Sequence, residues 1–302
     1  MNQAFERLDY QIFGPFISMG HVAQALTQGV VRPINLTNGV QMDVIMLLMA
    51  GALSGLIAGL VGLAGGIVIV PVLVWMYGPP VIHDAIVVSW FAVLFNSIGA
   101  TVKQLKMRTQ QERLVLLSGA RYFIVGVLFI TPMVAYLAGG SRSLVSPKLV
   151  AVLQLCLAMV MLWPVKELGE RRDPSRMRDL SFGGAIGGVS ALIGVGGGTY
   201  TIAYFVYGAG VRFKDAIATA NIIGSTVGFL SVTGYVLSHA LISNASPESE
   251  PLLSAAGMAA VIVGGLAFAP IGVSLSSRFS TKTLRQILIF ALIVSSLRLM
   301  MS

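Results

Sequence analysis

The chain has 302 residues, of which 56% are hydrophobic and only 11% charged; an ordinary soluble domain carries about 25% charged residues. This composition excludes a soluble globular domain and defines a polytopic integral membrane protein. The net charge of +8 is carried mostly by short loops between apolar runs, a pattern of membrane orientation and not of nucleic-acid binding. The lone Cys156 lies inside an apolar run, which leaves no disulfide framework and no thiol metal cluster.

Residues 1–41 lack a basic n-region and a small-residue cleavage site, so no removable signal peptide is expected. Within them, 10–31 is free of charge apart from His21 but carries Gln11, Gln24 and Gln28. This reads as an amphipathic helix lying on the membrane. Apolar segments follow at 42–63, 67–78, 85–102, 114–138, 148–164, 181–195, 199–209, 215–238, 253–276 and 284–301. A full crossing needs roughly 20 residues. The segments 67–78, 181–195 and 199–209 fall short, and read as halves of broken or re-entrant helices. The strip Gly169–Asp179, GERRDPSRMRD, reads as part of a solvated linker over 165–180. The expected fold is all-α. A first membrane repeat occupies 42–164 and a second 181–302, each holding one broken helix pair and three transmembrane helices.

The case for duplication is direct. Residues 51–78 read GALSGLIAGLVGLAGGIVIVPVLVWMYG and residues 183–208 read GGAIGGVSALIGVGGGTYTIAYFVYG. Each places a glycine-spaced apolar segment before a glycine knot, Gly65-Gly66 or Gly196-Gly197-Gly198. Each then runs through a short apolar piece to Tyr-Gly, and each is followed by Asp-Ala-Ile (84–86 and 215–217). A duplicated apolar unit interrupted by glycine points to a transporter with its site where the helices break.

Loop charge orients the repeats. Loops 103–113, 165–180 and 277–285 carry Lys and Arg, whereas 239–252 has neither and contains Glu248 and Glu250. The first three are expected in the cytoplasm and the last outside. An odd number of crossings between 165–180 and 239–252 then makes the second repeat inverted relative to the first. Hairpins and full crossings at the knots satisfy this parity equally.

Glycines spaced at four, such as Gly51, Gly55 and Gly59, let helix backbones approach closely. The knots have a different use. They free the backbone to break, and a new helix begins just after. Its first amides have no intrahelical partner and carry the positive end of the helix dipole, which suits an anion. Gly65, Gly66, Gly196, Gly197 and Gly198 are therefore candidate substrate-binding positions. Ser89, Asn96, Thr199, Asn221 and Ser225 offer hydroxyls and amides nearby; the competing reading is interhelical hydrogen bonding. Arg121, about two turns into its span, either pairs with an anion or snorkels to the interface. Asp84 and Asp215 read as helix caps. No Asp or Glu lies in mid-span. Gly188-Val189-Ser190-Ala191 with His239 has the outline of an intramembrane serine protease, but Ala191 stands where that motif needs Gly. The chain has no G-x-x-x-x-G-K-[ST] motif, hence no ATP motor of its own.

Taken together, these elements resemble the sulfite exporter TauE/SafE family of bacterial membrane proteins. The likeness rests on Gly62-Leu63-Ala64-Gly65-Gly66-Ile67-Val68-Ile69-Val70-Pro71 and Gly194-Val195-Gly196-Gly197-Gly198. It rests also on His83-Asp84-Ala85-Ile86-Val87-Val88-Ser89 and Lys214-Asp215-Ala216-Ile217-Ala218-Thr219-Ala220, and it covers 42–301. Ala64 replaces a knot glycine, and Ala203 stands where the first repeat has Pro71. The resemblance implies a multi-pass protein of the bacterial inner membrane that exports a small sulfur oxyanion, sulfite or an organosulfonate. It implies no enzyme activity and no cofactor or metal. Expected partners are the anion, the lipid bilayer, a coupling proton or sodium, and a second copy in a homo-oligomer. The alternatives are an importer or channel for another small anion, and a non-transporting scaffold.

Overall fold

A computed structural model describes residues 39–63, 65–139, 145–163, 175–242 and 255–301. The expected surface helix at 10–31 lies outside them. The described residues form ten α-helices: α1 Gly39–Val61, α2 Gly66–Tyr77, α3 Ile82–Lys106, α4 Gln110–Gly139, α5 Pro147–Leu162, α6 Arg176–Ile193, α7 Gly198–Ala203, α8 Phe213–Ile242, α9 Ala255–Arg278 and α10 Thr281–Met300. One π-helical turn, Tyr204–Gly208, extends α7. Six helices are long and apolar enough to cross a membrane: α1, α3, α4, α8, α9 and α10. At 1.5 Å per residue, α3 is about 37 Å long and α2 only about 18 Å, against a hydrocarbon core of about 30 Å.

Two boundaries differ from the sequence expectation. Helix α5, expected as a full crossing at 148–164, has 16 residues and falls short, while α1 is long enough to cross, as its apolar run at 42–63 implied. Helix α6 starts at Arg176, inside the charged strip read as solvated linker. Ser175 caps it by accepting from the Arg178 amide, and Asp179 is fully buried, accepting from the Tyr204 hydroxyl. A helix-capping serine and a buried partner outweighed the local polarity, which hydropathy alone had counted.

Most helix pairings are preserved when α1–α5 is exchanged for α6–α10. Helix α1 packs on α9 as α6 packs on α4, and α2 on α3 as α7 on α8. Likewise α3 packs on α9 as α8 on α4, and α2 on α10 as α7 on α5. The pairs α3–α8 and α5–α10 map onto themselves.

The glycine stripes build the first of these contacts. Gly51, Gly55 and Gly59 lie against Val261, Gly265 and Ala269, so α1 runs parallel to α9. Gly183 lies against Phe123 and Gly187 against Val127 and Thr131, so α6 runs parallel to α4. At Gly55 any Cβ would strike the Gly265 carbonyl, which is why this close packing demands glycine.

Pro71 lies inside α2 and has no N–H to give the Ile67 carbonyl four residues back. The Ser295 hydroxyl of α10 answers that carbonyl at 3.0 Å, and stands 2.6 Å from the Gln154 side chain of α5. The outward faces carry bare apolar side chains, among them Phe129 and Phe290, as lipid contact requires.

Candidate functional site

The two helix breaks meet at the centre. Helix α2 begins after Gly65 and α7 after Gly197, both in the left-handed region (φ 85° and 71°). L side chains avoid that region, so a helix running through these points stops and restarts. Neither new helix has a side-chain cap, so its first amides depend on other partners.

Each knot lies on the other. A Cβ at Gly66 would strike the Gly194 carbonyl, and a Cβ at Gly198 would strike the Gly62 carbonyl. The described knot residues are buried. The closed glycine crossing is thus a contact between the two halves of the chain, with two uncapped helix N-termini beside it.

Helix α3 ties both knots down. Asn96 Nδ2 donates to Ser54 Oγ (2.9 Å), and Ser54 Oγ donates to the Gly65 carbonyl (3.0 Å). Across the crossing, Ser89 Oγ is 2.6 Å from the carbonyls of Gly194 and Ile86. Trp90 Nε1 donates to the Ala191 carbonyl at 3.2 Å. Ser54, Ser89, Trp90 and Asn96 are all almost completely buried.

The second repeat does not return these bonds. Ala220 stands at the place of Ser89, and Asn221 at that of Trp90. Asn221 is fully buried, and neither its Nδ2 nor its Oδ1 has a partner. It lies one turn beyond Ile217, whose carbonyl borders Gly62. Thr199 in the first turn of α7 is fully buried with its hydroxyl unpartnered, as is the Oδ1 of Asn96.

The structure thus gathers Gly65, Gly66, Gly196, Gly197, Gly198, Ser89, Asn96 and Thr199 at or beside the crossing, with Asn221 on the neighbouring face of α8. Ser225 lies a turn further along α8 and donates to the Ile222 carbonyl of its own helix at 2.7 Å. Arg121 stands apart: it is exposed, with its guanidinium 4.6 Å from the Tyr122 ring centre. Ser54 and Trp90 were missed by sequence reasoning. The signal for Ser54 was a lone hydroxyl inside the Gly51/Gly55/Gly59 stripe.

No three His, Cys, Asp or Glu residues cluster as a metal site among the described residues. Uncapped amides, hydroxyls and carboxamides in a dry interior can hold a small anion by hydrogen bonds without a full counter-charge.

Six helices long and apolar enough to cross a membrane, among the described residues, mark a multi-pass membrane protein. The chain belongs to the sulfite exporter TauE/SafE family, which matches residues 47–299. It is also similar to a "Probable membrane transporter protein" of Haemophilus influenzae, at 25% identity over 206 residues, covering 65% of this chain and 74% of that one. No solved structure matches the chain.

Proposed function

We propose that this transporter exports a small sulfur oxyanion, sulfite or an organosulfonate, across the bacterial inner membrane by alternating access. The observation that carries the reading is the crossing of two uncapped half-helices at Gly62–Gly66 and Gly194–Gly198. The knot amides hold the anion, and the Thr199 hydroxyl and the Asn96 and Asn221 amides complete its hydrogen bonds. The family's description as sulfite exporters supports the choice of a sulfur oxyanion.

The two halves act as inverted repeats, with α1–α2 and α6–α7 as re-entrant pairs entering from opposite sides. Three facts support this. Helix α1 runs parallel to α9 and α6 parallel to α4. Most of the pairing pattern survives exchange of the halves. Loop charge sets the C-terminal ends of α3 and α9 on the same, basic side. Rocking of one half against the other opens the crossing to each side in turn.

Purified protein in liposomes loaded with sulfite or methanesulfonate is expected to release the anion faster than empty liposomes do. Gly197→Leu, which forces a side chain onto a left-handed position 2.8 Å from Ser190 Oγ, is expected to abolish that flux. Wild-type flux no greater than that of empty liposomes overturns the reading.

A further inference from the structure

Helices α3 and α8 pack against each other along a seam. The seam is fixed at two points. Near its basic end Arg108 pairs with Asp215 at 2.9 Å. Further along, Gly228 lies against the Leu94 backbone. The two helices are therefore antiparallel, and the residues between these points share a level across the seam.

On α3 the stretch carries Ser97, Thr101 and Gln104, spaced as one helical face. On α8 it carries Asn221. Each has a polar side-chain atom sealed from solvent and without a hydrogen-bond partner: Ser97 Oγ, Thr101 Oγ1, Gln104 Oε1 and both amide atoms of Asn221. Buried polar groups are normally paired, and this seam gathers four residues with polar atoms that are not. It opens into a cavity of about 370 Å³ lined by Gln104, Arg108, Arg212 and Lys214, together with Asp215 and Glu112. Asp215 is engaged by both arginines, and Glu112 accepts from the Thr109 amide and hydroxyl, so the Lys214 ammonium, which donates to the Ser277 carbonyl at 3.3 Å, leaves the mouth with net positive character.

The outer half of the seam has one buried hydroxyl without a partner, Ser231 Oγ, and is otherwise distinguished by its rings. Asp84 and Asp215 stand 131 residues apart in the duplicated motif, and the same offset relates Gln104 to Tyr235 and Asn221 to Trp90. Where one end of the seam has two carboxamides, the other has two aromatic rings, with centroids 5.9 Å apart. We propose that the α3–α8 seam is the anion's route from the cytoplasm. The Ser97 and Thr101 hydroxyls and the Asn221 Nδ2 donate to its oxygens on the way to the knots, Gln104 lines the mouth, and the Trp90–Tyr235 ring pair is the gate on the outer side. This rests on the transport reading above.

The test begins by replacing the single native cysteine (Cys156→Ser) and placing new ones: Ser97→Cys, Thr101→Cys, Gln104→Cys or Asn221→Cys. Inside-out vesicles are then treated with the membrane-impermeant anion methanethiosulfonate ethylsulfonate. The seam cysteines are expected to react several-fold faster than Val102→Cys, which stands on the exposed face of α3, and to be protected by methanesulfonate. In right-side-out vesicles, Tyr235→Ala is expected to admit the reagent to Asn221→Cys, whereas Tyr235→Phe keeps it out. Seam cysteines no more reactive than Val102→Cys, while Met107→Cys at the exposed helix end reacts, overturn the route. If wild-type anion flux persists alongside that result, the transport reading survives without it. Absence of wild-type flux overturns both.

Discussion

At the scale of single residues, glycine has two separate uses in this chain. Gly65 and Gly197 hold left-handed backbone that restarts a helix, whereas Gly66 and Gly198 carry helical backbone and are there for contact. The distinction can be measured. A Cβ at Gly66 or Gly198 meets a carbonyl oxygen of the other knot, which cannot swing aside. At Gly188 a Cβ meets only the side-chain tips of Ile130 and Val134, at 3.2 and 3.4 Å. Gly66→Ala and Gly198→Ala should each cost about 1–3 kcal/mol through overpacking, seen as a lower melting temperature in detergent, while Gly188→Ala stays close to wild type. Equal loss at all three positions would remove the knot contact as the cause. The duplicated motif revealed both knots, because glycine is the one residue whose conformational freedom is visible in sequence. It could not reveal that Asn96 reaches Gly65 through Ser54, since that relay joins residues 42 apart in the chain.

At the scale of elements, short helices need anchors from outside themselves. The C-terminal end of α5 leaves carbonyls unpaired, and Arg285 of α10 serves them. Its Nε donates to the Met161 carbonyl at 2.7 Å, and its NH2 group donates to the Trp163 carbonyl and to the Tyr207 hydroxyl at 3.3 Å. Tyr207, at the end of α7, also donates to the Trp163 carbonyl at 2.9 Å. One guanidinium thus gathers the ends of α5 and α7 onto α10. Hydrogen bonds of this charged kind contribute about 1.5–3 kcal/mol each. Arg285→Ala should lower the melting temperature and speed amide exchange in the last turn of α5 and at Tyr204–Gly208. Arg285→Lys, without the planar fork, should recover only part of the loss. Unchanged exchange at Tyr204–Gly208 would show that α7 is held by other means. Element boundaries were legible where hydropathy changed sharply, as at α2 and α8. The start of α6 was hidden because Arg176, Arg178 and Asp179 look solvated until the Tyr204 hydroxyl is seen to donate to Asp179.

At the scale of the molecule, the proposed export of an uncoupled anion makes net transport depend on the membrane voltage. An inside-negative potential favours exit by about 2.3 kcal/mol per charge per 100 mV, an outside-to-inside ratio of about 50-fold at equilibrium. Liposomes clamped at an inside-negative potential with potassium and valinomycin should release methanesulfonate faster than liposomes at zero potential, for protein oriented as in the cell. Flux that ignores voltage and follows a pH or sodium gradient instead would assign an electroneutral, coupled cycle.

The sequence by itself determined that the chain lives in a membrane, that a glycine-rich motif occurs twice in it, where its helices break and which loops carry the positive charge. These properties are local: hydropathy, glycine runs and Lys/Arg counts are read within a few residues of one another. Only the tertiary structure decided that the two breaks lie on each other, and that α3 secures both of them. It alone separated the polar half of the α3–α8 seam from the aromatic half. Those properties depend on which side chains face one another across helices far apart in the chain. A buried amide such as Asn221 reads the same in sequence whether it is paired or left without a partner.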